Sequence, residues 1–294
     1  MGVFLKNDAK NLIEKYFGEI KRRQEVEPLE PQPVTLSQIK RLYHEDNFAT
    51  APQLNMVWPT LQQYTDDAYA LDFLGQLLSQ GKKAPMYKIL VKEKELTSRV
   101  GSYNNSQEIA GEFSISVTAN SGKNLAEVET AIFEAFDLFE SEGVLERDVE
   151  RIKAGLETDF YNGISSVLGK SFQLAQYNVF AGDPGFITQD IENIKAVTKE
   201  DILRVYETYI KDKPFVLTSF VPKGQLDLAA KNSVMAAVVE EEIKENLDVE
   251  VIERNNEVIK SPSNFDRSIE PGQGVSPKLN ILKLLENEKK LNPK

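Results

Sequence analysis

The stretch from Gly111 to Gly143 restricts the fold more than any other part of this 294-residue chain. Between Gly111 and Thr118, Phe113, Ile115 and Val117 point to one face, and Ser114, Ser116 and Thr118 to the other. That period of two belongs to a strand with one buried side. The period then changes. Val128, Ala131, Ile132, Ala135, Phe136 and Phe139 recur at i, i+3, i+4 until Gly143 breaks the run, which is a helix with one apolar stripe. Each of these surfaces needs a partner away from water, and the simplest solution lays the helix on the strand.

The same two periods recur along the chain. Strands are predicted over residues 34–43, over Gln53–Trp58, and over Phe215–Val221 before Pro222. Residues 96–103 and 111–118 form a hairpin through the turn chemistry of Asn104-Asn105-Ser106-Gln107. Helices are predicted after Thr65-Asp66-Asp67, near residues 85–94, from Glu146 onward, over 166–181, and over 198–210. The last opens with Thr198 as N-cap and Asp201 three residues on, close to a capping box. The expectation is an α+β fold with a largely antiparallel sheet and helices packed on one face. Phe113, Ile115, Val117, Ile132, Phe136, Phe139, Ile152, Leu156 and Val216 should be buried together.

The ends read differently. A helix capped by Asp8 carries Leu12, Ile13, Tyr16 and Phe17 on one face and stops at Gly18, with no strand before it to pack against. Its apolar face needs cover from its own domain, from a Glu-rich helix over 234–246, or from a second copy of the chain. Residues 22–33 form a charged linker punctuated by Pro28, Pro31 and Pro33. From about residue 248 the chain is polar, with Pro262, Pro271, Gly272, Gly274 and Pro277, and reads as an extended link. The boundaries expected are therefore 1–21, 22–33, a packed domain over 34–222, and a helical and extended link over 223–294.

The residues available limit the chemistry. Lys plus Arg is 35 and Asp plus Glu is 46, a net charge of −11, which disfavours a nucleic-acid partner. With no Cys, thiolate zinc sites and cysteine catalysis are excluded. No run of apolar residues approaches the roughly 18–20 of a membrane span. The one histidine, His44, precedes Glu45, the first half of H-E-x-x-H, but residue 48 is Phe. A surface histidine beside acidic residues accounts for it. The acidic groups Asp66-Asp67, Glu140 to Glu146 and Glu240-Glu241-Glu242 fit solvated helix faces as well as acid–base work. Ser98, Ser102 and Ser106 have no partnered base nearby in sequence, and no phosphate-cradling glycine motif is present.

The order of these elements resembles the insulinase/pitrilysin-type zinc metallopeptidase family. Residues 9–20, with Lys15-Tyr16-Phe17-Gly18, resemble the helix that closes the zinc-bearing domain of its members. The strand Leu54–Trp58, the helix Tyr69–Leu78, the stretch Gly81–Val91, the L-x-x-x-V-G run Leu96–Gly101 and the strand Phe113–Thr118 follow in family order. Phe265 to Pro271, followed by Gly274 and Pro277, looks like the segment that introduces the second half of long bacterial members. The resemblance implies a non-catalytic roll of the mitochondrial-processing-peptidase type, part of a longer metallopeptidase. Zinc would sit in the parent protein, with no cofactor in this chain.

The partners implied are an upstream zinc-bearing domain, the second half of the parent, and a peptide substrate. In some members an equivalent strand pairs with the substrate, which places that role on Arg99, Val100, Gly101, Ser102 and Tyr103. An ordinary sheet strand with a bulge glycine is the competing reading of those five residues. No catalytic or metal-binding residue carries over, so the chain alone should be inactive. Bacterial relatives of this layout are often exported, which points to the periplasm. Two other functions stay open: an inactive scaffold or assembly subunit of the same fold, and an unrelated acidic enzyme with a carboxylate-bound divalent metal.

Overall fold

In a computed structural model, residues 6–21, 27 and 29–238 are described. The first compact unit ends at Val238. The link expected from about residue 248, and most of the Glu-rich helix expected over 234–246, lie outside the described residues. The elements run α1 (Lys6–Phe17), β1 (Lys40–Asp46), β2 (Gln53–Thr60), α2 (Asp66–Ser79), β3 (Val100–Ser106), β4 (Gly111–Thr118) and α3 (Leu125–Glu142). Then come α4 (Glu146–Gly163), α5 (Val167–Gln176), α6 (Ile187–Ala196), α7 (Lys199–Val205), β5 (Val216–Pro222) and β6 (Val234–Met235). Wide π-helical turns over Tyr87–Glu93, Tyr177–Ala181 and Tyr206–Ile210 complete three of the expected helical regions.

The six strands form one sheet in the order β3-β4-β2-β5-β1-β6. The β3–β4, β4–β2 and β2–β5 pairings are antiparallel, as expected. β1 instead lies parallel to both β5 and β6, so the sheet is mixed. Three readings of the strands need correction. The first strand begins at Lys40 rather than residue 34, and β3 begins at Val100 rather than residue 96. Val234 and Met235 add a short strand to β1, where a helix was expected.

The buried face follows the period-two pattern. Leu54, Met56 and Trp58 of β2 and Phe113, Ile115 and Val117 of β4 are fully buried beneath the helices. On β5 Leu217, Ser219 and Val221 alternate as buried residues, with Pro222 buried at its end, so Val216 lies on the other face and leaves the expected core set. Leu156 packs at the rim of the core, while Ile132, Phe136, Phe139 and Ile152 lie inside it. Asn124 caps α3, and Thr198 with Asp201 forms the capping box of α7. A bidentate pair from Arg41 to Glu129, at 2.9 and 2.6 Å, ties β1 to α3.

The opposite face of the sheet carries a polar strip across β2, β4 and β5, flanked by Val57, Val216 and Phe220. Gln53 Nε2 donates to Asn55 Oδ1 and to Ser116 Oγ, each at 3.2 Å. Asn55 Nδ2 donates to Thr218 Oγ1 at 3.5 Å.

Helix α2 runs against β3 closely enough to require a glycine. A Cβ on Gly75 would lie 3.0 Å from the Ser102 carbonyl oxygen and 3.1 Å from the Tyr103 Cα. Both are backbone atoms of a sheet strand and have little room to give. Gly75→Ala should therefore destabilise the domain by about 1–3 kcal/mol, read as a lower urea midpoint at unchanged slope. An unchanged midpoint would show that α2 slides freely along β3.

Helix α1 has no buried residue. Ile13, Tyr16 and Phe17 are each more than half exposed. Its own domain therefore does not supply the expected cover among the described residues.

Candidate functional site

The five residues expected to meet peptide lie at one margin of the sheet, because β3 is an edge strand. They do not act alike. A groove of about 1070 Å³ is lined by Arg99, Val100, Gly101 and Tyr103, with Ser116 and Thr118 of β4 beside them. Gly101 and Tyr103 belong to the sheet face away from the helices, and Tyr103 is exposed. A Cβ on Gly101 would meet nothing within 4 Å, so this glycine leaves the groove floor bare.

Ser102 is drawn inward instead. Its backbone N–H donates to Ser79 Oγ at 3.0 Å, and its hydroxyl donates to the Gly75 carbonyl at 2.8 Å. Outward-facing groups alternate along an edge strand, and α2 has taken the N–H of Ser102. The ladder that a docking strand needs is thus closed at the middle of β3. What β3 leaves accessible is its face away from the helices, around Gly101.

A second concavity lies on the helical side, where α2, α4, α5 and α6 meet β3. It has a volume of about 320 Å³ and is lined by Tyr64, Tyr69, Asp72, Asn104, Gln176 and Asp190, among others. Asp190 is buried and accepts hydrogen bonds from Tyr69 Oη and Tyr177 Oη, each at 2.5 Å. Burial and the bonds to this carboxylate push both phenols far above their ordinary range. Asp72 Oδ1 accepts from Asn104 Nδ2 at 3.2 Å. Asp72 is exposed to solvent, although many protein atoms surround its carboxyl.

That crowding pushes the Asp72 carboxyl up from 3.8 to about 7; Asn104 pulls the other way, and the charge of Asp190 adds to the rise. None of these residues stood out from local spacing. The available signal was Asp190, a lone acid in the stripe Ile187, Asp190, Ile191 and Ile194 of α6.

A carboxyl with a raised pKa opposes folding once it ionises. The penalty is absent below its unfolded value near 4, grows as pH rises, and is complete above about 7. A shift of this size corresponds to roughly 4 kcal/mol in full, but solvent reaching Asp72 reduces it to the order of 1 kcal/mol. Asp72→Asn should raise the unfolding midpoint at pH 8, with the gain shrinking towards pH 4. A gain equal at both pH values would separate the effect from ionisation.

His44, Glu45, Asp46, Asp67 and Glu140 do structural work, while Glu240-Glu241-Glu242 lie outside the described residues. His44 sits half-buried on β1, edge-on to Phe220 at 6.1 Å between ring centres. Its neighbour Glu45 accepts from the Gly224 amide at 2.9 Å, and Asp46 accepts from the amides of Phe48 and Ala49. Asp67 holds Arg204 at 2.6 Å and Tyr209 at 2.8 Å. Glu140 holds Tyr206 at 2.8 Å and Lys211 at 2.6 Å. Among the described residues no group of three or more His, Asp or Glu side chains is placed to hold a metal ion. This donor set does not fit the three protein ligands of a catalytic zinc.

Comparison with known proteins gives these features a family. No protein of curated function matches the sequence. A protease from Helicobacter pylori superposes with a TM-score of 0.63 at 19% identity, covering 75% of this chain and 53% of that one. A peptidase M16 inactive domain from Pseudomonas fluorescens superposes with a TM-score of 0.59 at 15% identity, covering 79% of this chain and 53% of that one. The periplasmic protease PqqL from Escherichia coli gives a TM-score of 0.59 at 14% identity over 76% of this chain and 25% of its own. The chain thus spans about half the length of the first two and a quarter of the third. The family model described as the peptidase M16 inactive domain matches residues 2–156, more than half of the sequence. The mixed sheet and the helices on one face agree with that match, and the chain belongs to the peptidase M16 inactive-domain family.

Proposed function

We propose that this chain forms a non-catalytic wall of a peptide chamber in a zinc metallopeptidase, with the metal and the hydrolytic groups on another domain. The observation that carries this reading is the groove on the sheet face away from the helices, which is bare at Gly101 and bordered by Arg99, Val100 and Tyr103. An extended peptide crossing this face finds the side-chain amides and hydroxyls of Gln53, Asn55, Ser116 and Thr218. Close backbone approach is available at Gly101. Because Ser102 is bound by α2, the peptide meets β3 through its face rather than by adding a strand along its full edge.

The rest of the organisation follows the same reading. Residues 1–21 close an upstream zinc-bearing domain, residues 22–33 connect, residues 34–222 form the inactive roll, and residues 223–294 lead towards a second half. The bare apolar face of α1 supports a neighbouring domain at that end, since burying a side chain of this size is worth about 1.5–3 kcal/mol. Zinc in this reading belongs to the parent protein.

Two measurements on the purified chain test the proposal. Gly101→Leu has room for its side chain, so its unfolding midpoint should match the wild type. Its affinity for fluorescein-labelled unstructured peptides, read by anisotropy, should fall at least tenfold. The wild-type chain should also hold no stoichiometric zinc after dialysis and leave the peptides intact. Equal peptide affinity for Gly101→Leu and wild type, or chelator-sensitive cleavage by the chain alone, would overturn it.

A further inference from the structure

From a cavity between α3 and the turn after α7, walled in part by a fully buried tryptophan, we infer that this domain binds a small, uncharged aromatic carbonyl compound. The site lies on the helical side of the sheet, away from the groove around Gly101, and stands without the peptide-chamber reading. Three observations carry it.

The first is a donor without an acceptor. Trp58 of β2 is 0% exposed, and its indole N–H has no hydrogen-bond acceptor among the described residues. The rings packed around it, those of Phe113, Phe136 and Phe215, lie 6.5, 6.1 and 5.0 Å away between centres. An aromatic face is a weak acceptor, whereas buried polar groups are almost always fully paired. The indole N–H is therefore a position for a ligand oxygen.

The second is the space beside it. Trp58 forms part of the wall of a cavity of about 540 Å³, a size usual for small-molecule sites. Phe133, Phe136, Tyr206 and Phe215 supply rings to this wall, and Ile210 and Pro214 supply aliphatic surface. Such rings favour an aromatic guest through edge-to-face contact. The Tyr206 hydroxyl donates to Glu140 at 2.8 Å, so Tyr206 offers the guest its ring alone.

The third is the charge at the mouth. Glu140 and Lys211 already pair at 2.6 Å. Of the other charged residues lining the cavity, two are acids, Asp137 and Asp212, and one is a base, Lys213. An anion is not attracted there, and an alkylammonium ion brings no acceptor for the indole. A phenol brings an O–H along with its acceptor, and the two Glu140 oxygens already hold Tyr206 and Lys211. A carbonyl supplies the acceptor alone. It must ride on the ring that enters, because the backbone carbonyls of a peptide stay with the chain at the mouth.

Entry requires one movement, since Trp58 is closed to solvent. Phe133 is the rim side chain suited to it. It is 40% exposed, with its ring 6.0 Å from Phe136 and 6.1 Å from Phe215.

Trp58 is the only tryptophan in the chain. A nitrogen–proton correlation spectrum of the labelled full chain therefore contains one indole signal, and it reports on this site. Acetophenone is the probe. Ethylbenzene is the ring without the oxygen, acetamide the carbonyl without the ring, and N-acetyltyrosine amide the peptide side chain. Acetophenone should move the indole proton signal downfield to saturation, with an affinity roughly tenfold above that of ethylbenzene, the gain from pairing a buried donor. Acetamide should leave the signal in place.

Trp58→Phe, with its fold checked by circular dichroism, should abolish the preference for acetophenone over ethylbenzene in ligand-observed spectra. Phe133→Ala changes an exposed rim residue, keeps the indole signal, and should weaken acetophenone severalfold. An indole signal unmoved by millimolar acetophenone would refute the site. So would equal affinity for acetophenone and ethylbenzene in the wild type. Tighter binding of N-acetyltyrosine amide than of acetophenone would overturn the assignment to a small carbonyl compound.

Discussion

Phe136→Ala should lower the stability of the domain by about 3–5 kcal/mol, the range for emptying an aromatic site in a packed core. Phe136 is 6% exposed and lies at the centre of an aromatic group. Its ring is 6.1 Å from Trp58, 6.0 Å from Phe133 and 5.8 Å from Tyr206, each contact edge-on. Those residues come from β2, from α3 itself and from the turn after α7, so one ring joins sheet and helices. The loss has two parts, the transfer energy of the ring and the cavity that rigid neighbours cannot close. Phe136→Leu keeps more of the volume and should recover at least half of the loss. Urea denaturation followed by far-ultraviolet circular dichroism measures both. A loss below about 1 kcal/mol for the alanine variant would mean that the site collapses, which the surrounding rings argue against.

The elements that were legible in the sequence are those whose burial is one-sided. β4 alternates cleanly because it packs helices on one face and carries polar residues on the other, and α3 carries its stripe for the same reason. β5 was placed correctly but with the wrong face inward. Phe215, Val216, Leu217, Phe220 and Val221 put apolar residues on both faces, so alternation holds no information about which side is buried. β1 was set too early because Lys40, Arg41, His44, Glu45 and Asp46 are polar. Its place comes from pairing with β5 and from the Arg41–Glu129 pair, both long-range.

β6 is two residues held only by pairing with Leu42 and Tyr43 of β1, so no local pattern marks it. The residues at the groove were singled out through the family resemblance, and Gly101 within the strand is the one local feature that marks them. That α2 would take the Ser102 amide was not legible. Ser79 lies 23 residues away, and only the close approach at Gly75 brings it to the strand.

The Asp190 cluster shows the same limit more strongly, since Tyr69 is 121 residues distant. Asp190→Ala should destabilise the domain by about 3 kcal/mol, because it strands two buried hydroxyls at once. Tyr177 is fully buried and Tyr69 is 8% exposed, so water does not readily replace the lost acceptor. Leaving a buried hydroxyl unpaired costs about 1–3 kcal/mol, and the relief of no longer burying a carboxylate offsets part of the sum.

Asp190→Asn tests that division. Its amide oxygen still accepts from one tyrosine, and its amide nitrogen can donate to the other once that hydroxyl turns. The variant should therefore recover more than half of the alanine loss. Tyr69→Phe and Tyr177→Phe each remove one donor and should cost about 1.5–3 kcal/mol singly. In the Asp190→Ala background the same tyrosine changes should cost little or become favourable, because the hydroxyl removed no longer has an acceptor. A double-mutant cycle by urea denaturation reads this coupling. Additive losses across the cycle would show that Asp190 and the tyrosines stabilise the helical side of β3 independently, contrary to the shared hydrogen bonds at 2.5 Å.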